Sequence, residues 1–243
     1  ALTAALAGLG AYSLAGAALV GAIAGTASIY VVQPWRFGMV FDLGAIRHLI
    51  SFGAKVGSVH PIGFFRELGL LAVTTAVAGQ SVAGYYALSQ RLFSIPYAGF
   101  LSVQRVGFSA LSRVSPGVER ERRATQATRA ATTGAGVALA VMVGAAEPLI
   151  QTLFGERWLP TEDAVVGAAA GWLLLAGPGA VLMSLAKADG RGNLLVGASV
   201  AQTAVSLILA VLLIAPLSTL GVGIASGAGY FAFGAILLAT ARD

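Results

Sequence analysis

Residues Gly192 to Thr240, GNLLVGASVAQTAVSLILAVLLIAPLSTLGVGIASGAGYFAFGAILLAT, hold no charged side chain. As one straight helix rising about 1.5 Å per residue, this stretch would be more than twice as long as a hydrocarbon core of about 30 Å is thick. It therefore has to fold back on itself. The reversal is expected at Ala215 to Gly221, APLSTLG, where proline cannot continue a helix and Ser, Thr and Gly favour a turn.

The rest of the chain has the same character. Of 243 residues, 57% are hydrophobic, 15 are basic, 10 are acidic and 32 are glycine, and the mean hydropathy is +0.84. A water-soluble domain carries about 25% charged residues; at 10% this chain could not cover its own surface. A soluble enzyme, a disordered tail and a secreted disulfide scaffold are excluded. The lack of cysteine also removes thiol catalysis, thiolate metal sites and redox switching. What remains is an all-α, polytopic transmembrane helix bundle.

The same length test gives about seven complete spans plus a partial one. Ala1 to Gly8 reads as the tail of a helix in progress, Gly8 to Gly10 as a turn, and Ala11 to Val32 as the first complete span. The others are Phe52 to Ala78, Gly84 to Ser112, Ala130 to Leu153, Ala164 to Ala186, Asn193 to Ile214 and Leu220 to Ala241. Residue 1 is not methionine and no basic signal-peptide start precedes the apolar run, so a segment of a longer protein is expected.

The connecting segments alternate in charge. The turns at 8–10, 79–83 and 215–219 have no Lys or Arg, and 155–163 has only Arg157. Arg36, Arg47, Lys55, Arg113, Arg120, Arg122, Arg123, Arg129, Lys187, Arg191 and Arg242 all fall on the other side, eleven of the twelve basic residues outside the deep membrane. The positive-inside rule makes that side cytoplasmic, including the C-terminal end of the segment. The net charge of +5 thus reports topology; no soluble basic face exists for nucleic acid. Gly117 to Thr132, GVERERRATQATRAAT, has polar groups at helical spacing and no proline, so it is expected to extend the following span into the cytoplasm. Val40 to Ile50 mixes apolar residues with Arg47 and His48 and suits a short helix lying in the interface.

Glycine pairs with GxxxG spacing occur at Gly21 and Gly25, Gly53 and Gly57, Gly167 and Gly171, and Gly223 and Gly227. In lipid they let helix backbones approach closely, which is a packing role and says nothing about substrate. Pro96 and Pro178, the latter within Gly177-Pro178-Gly179, are expected to kink or loosen their helices and are hinge candidates.

The most informative residues are charges within the bilayer. Arg66 and Glu67 fall near the middle of a span, where an ionised group costs at least about 2.5–3.5 kcal/mol and should face the bundle interior or a wet cavity. Lys55 and Arg66 are 11 residues apart, about three helical turns, and so share a face. Arg91 and Arg105 are 14 apart with Pro96 between them, again close to one face, and Arg105 is near enough to the end to snorkel. Two readings follow. Either Arg66 and Glu67 neutralise each other and tie helices together, or Lys55, Arg66, Arg91 and Arg105 line a cationic cavity for an anionic substrate, with Glu67 as counter-ion. Arginine suits the second because its fork matches phosphate oxygens.

Enzymatic chemistry is poorly represented. His48 and His60 are the only histidines, no carboxylate pair has metal-ligand spacing with them, and there is no P-loop. No metal, cofactor or ATP site is expected, so a transporter would be a secondary one.

Several ordered segments resemble a known family: FG at Phe52 and Gly53, GYYALSQRL at Gly84 to Leu92, SIPY at Ser94 to Tyr97, RVGFSALSRV at Arg105 to Val114, EPLIQTLFGERWLP at Glu147 to Pro160, DGRGN at Asp189 to Asn193 and LGVGIA at Leu220 to Ala225. Together they resemble the polysaccharide and lipopolysaccharide (O-antigen type) flippases of the multidrug/oligosaccharidyl-lipid/polysaccharide exporter superfamily. The resemblance implies that residues 1–33 are the end of an N-terminal transmembrane lobe, 34–51 a cytoplasmic or interfacial linker, and 52–243 a C-terminal six-helix lobe. It further implies a bacterial inner-membrane transporter that rocks two lobes, the first missing here, to flip an undecaprenyl-pyrophosphate-linked oligosaccharide for surface polysaccharide biosynthesis. The partners implied are that lipid-linked saccharide and membrane lipids. Arg66, Arg91 and Arg105 lie where such proteins often carry basic residues; Gly69 and Ser109 stand where they often have an acidic residue and proline. Tyr85 or Tyr86 would pack sugars or helices. The alternatives are a multidrug or lipid-precursor exporter of the same superfamily, a membrane glycan polymerase or ligase, disfavoured by the short Gly155 to Asp163 loop, and a structural scaffold.

Overall fold

A computed structural model describes residues 12–32, 43–114 and 117–240, all of them helix or short connection. The chain divides into two compact units, residues 1–46 and 47–243. In the first, the described part is α1 (Tyr12–Val32) with the opening residues of α2. The second contains the remainder of α2 (Leu43–Leu111), then α3 (Val118–Gly144), α4 (Ala146–Phe154), α5 (Thr161–Leu174), α6 (Ala180–Ala188) and α7 (Gly192–Thr240).

Both long helices are hairpins. In α7 the helical path breaks at Ser218, with φ 51° and ψ −120°, two residues after Pro216. Proline removes the N–H that would bond one turn back, and the positive φ reverses the chain. The two limbs, residues 192–217 and 219–240, lie side by side: a Cβ on Gly221 would fall 2.2 Å from the carbonyl oxygen of Leu213, and one on Gly229 would fall 1.9 Å from Oγ of Ser206. The reversal expected at Ala215 to Gly221 is thus observed. In α2 the break is Gly79, at φ 85° and ψ 174°, a conformation that glycine alone adopts without strain. Its limbs, residues 43–78 and 80–111, are tied by the hydrogen bond from the Tyr86 hydroxyl to Glu67 and share one buried cluster that holds Leu70 and Tyr86.

Between α5 and α6 the backbone passes through a π turn, Leu175–Gly179, that contains Pro178. The chain therefore loosens where Gly177-Pro178-Gly179 predicts, yet continues as one rod from Thr161 to Ala188. Every residue from Leu175 to Val181 is buried, which places this rod at the centre of the bundle. Around it the core gathers Phe93, Trp172, Leu175, Leu195 and Phe233. The glycine pairs explain how so apolar a rod packs closely. A Cβ on Gly171 would lie 1.8 Å from the carbonyl oxygen of Gly227, and one on Gly223 would lie 2.6 Å from that of Ala164. Gly167/Gly171 and Gly223/Gly227 are therefore two halves of one backbone-to-backbone contact between α5 and the second limb of α7. Gly21, Gly25, Gly53 and Gly57 have no such neighbours.

α3 starts at Val118 after Gly117, with Glu119 and Glu121 in the first turn where carboxylates complement the helix dipole. The expected extension of this span is continuous helix from Val118 through Thr132. α3 and α4 are bent by 56° about Ala145, just before Glu147-Pro148. α4 stops at Gly155, whose φ of 89° lets its N–H cap the carbonyls of Ile150 and Gln151.

By length and composition, three helices among the described residues are apolar and long enough to cross a membrane, or four if α3 and α4 make one bent span. Two of the three are the hairpins, α2 and α7, each counted once although its path breaks at Gly79 or Ser218; this count does not establish the seven expected spans. One expectation needs correction: the described part of the interfacial helix, from Leu43, is not a separate element but the opening of α2, because no proline interrupts the sequence before Pro61. Residues 1–11, 33–42, 115–116 and 241–243, with the first turn, most of the linker and Arg242, lie outside the described residues.

Candidate functional site

The first limb of α2 carries Arg66 and Glu67, the second limb carries Tyr86, and the second limb of α7 carries Ser226 and Tyr230. Tyr230 sits one turn beyond Ser226, on the face that the Gly223/Gly227 contact holds inward. Arg66 is 4% exposed. Its Nη2 donates to Glu67 Oε1 and, at 2.9 Å, to the Tyr230 hydroxyl. Nη1 lies 3.5 Å from Ser226 Oγ, and the guanidinium carbon is 4.5 Å from the centre of the Tyr230 ring. The Tyr86 hydroxyl donates to Glu67 Oε2 at 2.9 Å. The ion pair is thus held from three helical limbs. Taking charges out of water is costly, and this arrangement offsets the cost with bonds to almost every polar atom of the pair. The exception is Arg66 Nε, which has no partner among the described residues.

Arg66 and Glu67 also line a cavity of about 350 Å³ in the second unit. Its polar lining includes His60, Gln90, Gln104, Lys187, Ser199 and Gln202. Lys187 Nζ donates to Gln104 Oε1 at 3.2 Å. One wall is aromatic: Phe93 stacks on Trp172 at 5.0 Å, Trp172 meets Tyr97 edge-on at 5.7 Å, and Tyr230 tilts against Trp172 at 5.4 Å. Spacing on α2 builds this wall, since Gln90, Phe93 and Tyr97 recur on one face three and four residues apart. Among the described residues no cluster of three or more His, Cys, Asp or Glu is placed to hold a metal.

The cationic stripe expected along the helices is only partly assembled. Lys55 does face the bundle, its stem against Gly192, but it is exposed and lies outside the cavity lining. Arg91 and Arg105 share a face as their spacing predicts, and that face is the exposed one, turned from the cavity. Spacing fixes which residues share a face but not where that face looks, and Leu92, Phe93 and Phe100 take the inward side instead. Pro96 is accommodated within helical backbone; Pro178 marks the π turn. Tyr86 is buried against Glu67, whereas Tyr85 packs edge-on against Trp158 at 5.8 Å. Sequence reading missed Tyr230, Ser226, Trp172 and Lys187. For the first two a signal existed: Gly223, Ser226, Gly227 and Tyr230 follow helical spacing on one face.

Residues 1–163 match the sequence model of a family described as polysaccharide biosynthesis protein. The succinoglycan biosynthesis transport protein ExoT of Rhizobium meliloti (strain 1021) is 31% identical over 159 residues, 63% of this chain and 32% of that protein. The chain thus spans about a third of that relative's length. No solved structure matches. The family match covers about two thirds of the sequence, and the chain belongs to the polysaccharide biosynthesis protein family.

Proposed function

We propose that this chain is part of a secondary transporter in the bacterial inner membrane that flips an undecaprenyl-pyrophosphate-linked oligosaccharide to the outer leaflet for surface polysaccharide synthesis. The family supports the coarser role in polysaccharide export, and the relative's name supports transport rather than catalysis. The observation that carries the finer reading is the cavity, where Arg66 and Lys187 sit beside Gln90, Gln104 and Gln202 under an aromatic wall.

That lining suits an anionic glycan. The half-buried Tyr97 ring, backed by Trp172, offers apolar surface to a sugar, side-chain amides exchange hydrogen bonds with hydroxyls, and the guanidinium fork takes phosphate or acidic-sugar oxygens. A volume of about 350 Å³ is at the small end of ligand pockets, about 300–1,000 Å³, so it holds the head of the cargo rather than its lipid. Glu67 keeps Arg66 neutralised while no cargo is present, and the cargo anion competes with Glu67 for it. Lys55, Arg91 and Arg105 belong in this reading to faces used outside the cavity, toward the remainder of the transporter.

Membrane passage follows from the hairpins: residues 43–78, 80–111, 118–154, 161–188, 192–217 and 219–240 each cross once, with the arginine-rich ends cytoplasmic. The test is replacement of Arg66 by Ala in the full-length protein, with surface polysaccharide and protein level both measured. Export is expected to fall by about tenfold or more at unchanged protein level; normal export removes Arg66 from the mechanism.

A further inference from the structure

A second cavity, of about 540 Å³, opens at the arginine-rich end of the bundle and shares no residue with the first. Arg120 from the start of α3, Arg129 two and a half turns later, and Arg191 from the turn before α7 line it. Against these three cations stand Glu121 and Asp189. Asp189 is already engaged: Arg120 Nη1 lies 2.7 Å from its Oδ1. Arg191 Nη1 donates to the Thr240 carbonyl at 3.1 Å, which ties this arginine to the far end of α7. The Arg120 side chain is only 10% exposed, and its Nε has no acceptor among the described residues. The floor is apolar, formed by Leu182, Leu185, Leu194 and Leu237.

We propose that this cavity binds the phosphate headgroup of an anionic membrane glycerophospholipid, independently of the transport reading. Three arginine forks around one cleft leave positive charge that Glu121 and Asp189 do not balance, and the buried Nε of Arg120 supplies a donor in want of an acceptor. A free phosphate would need only the arginines. The leucine floor fits the glycerol and first methylenes that follow a lipid phosphate, and the site lies at the end of apolar helices, where headgroups are found. Such a lipid would clamp α3, the Asp189 turn and both ends of α7 together.

The test uses the purified full-length protein in phosphatidylcholine nanodiscs doped with phosphatidylglycerol, reading retained lipid by native mass spectrometry and thermal stability in parallel. The wild type is expected to retain phosphatidylglycerol over phosphatidylcholine and to gain stability from it. The double variant Arg129→Ala/Arg191→Ala, both positions exposed, is expected to bind it about tenfold or more weakly. Equal retention of the two lipids by wild type overturns the proposal, and that measurement needs no variant. An unchanged affinity in the double variant also overturns it, as does equal stabilisation by millimolar inorganic phosphate without phosphatidylglycerol.

Discussion

Arg66 and Tyr230, 164 positions apart, meet twice over: the guanidinium donates to the phenol oxygen at 2.9 Å and its carbon lies 4.5 Å from the ring centre. The contact joins the first limb of α2 to the second limb of α7, so the most buried charged residue among the described residues is also a fastener between the two hairpins.

The two partners of Arg66 should be unequal when removed. Tyr230→Phe keeps the ring and deletes one acceptor, which is expected to lower stability by about 1–2 kcal/mol. Glu67→Gln leaves a buried cation without its counter-charge and is expected to cost more, about 3–5 kcal/mol. Thermal unfolding in detergent measures both, and the reverse ranking would show that the ion pair is not what neutralises Arg66.

The glycine contact gives a sharper contrast. Gly171→Ala places a methyl 1.8 Å from a backbone oxygen, which cannot give way as a side-chain end can. α5 and the second limb of α7 must separate, at about 3 kcal/mol or more. Gly57→Ala, a glycine of the same spacing with nothing within 4 Å, is expected to be neutral or stabilising by up to about 1 kcal/mol through helix propensity. Equal losses of melting temperature in the two variants would contradict the packing described.

How much of this was legible beforehand depended on whether local physics decides the feature. The reversal around Pro216, the loosening at Pro178 and the helical run from Gly117 follow from backbone chemistry, and the sequence displays them. Arg66 and Glu67 stand out in the sequence because an ionised group in the middle of an apolar run has few options. The GxxxG spacing showed that close packing occurs, but not that Gly167/Gly171 would dock on Gly223/Gly227 rather than each on something else. The facing of Arg91 was not readable, because periodicity gives relative angles and only the neighbours supply the absolute one. Lys187 follows an apolar run in the sequence as a loop charge would; its place beside Gln104 depends on how far α6 runs before the turn at Gly190.

Ser218 holds a conformation, φ 51° and ψ −120°, that a residue with a Cβ adopts only under strain. Glycine removes the steric cost at that tip. Ser218→Gly is expected to raise stability by about 0.5–1 kcal/mol, the gain from relieved strain outweighing the added freedom of the unfolded chain. A lowered melting temperature would mean that the serine hydroxyl stabilises the turn in some other way.

The crossing pattern is open to direct measurement because the chain has no cysteine. Gln80→Cys beside the Gly79 break and Leu217→Cys beside Ser218 mark the two hairpin tips; Ser112→Cys marks the opposite end, next to the Arg120 and Asp189 pair. With any cysteine elsewhere in the full-length protein removed, a membrane-impermeant maleimide added to intact cells is expected to label positions 80 and 217 and to reach 112 only after permeabilisation. That follows from the proposed crossing pattern, in which limbs folded back at Gly79 and Ser218 put both tips on one side and the positive-inside rule turns the arginine-rich end inward. Labelling of 80 and 112 from the same side would mean that α2 does not cross as two limbs, and the cavity between its limbs and α7 would then not sit at the depth that transport through it requires.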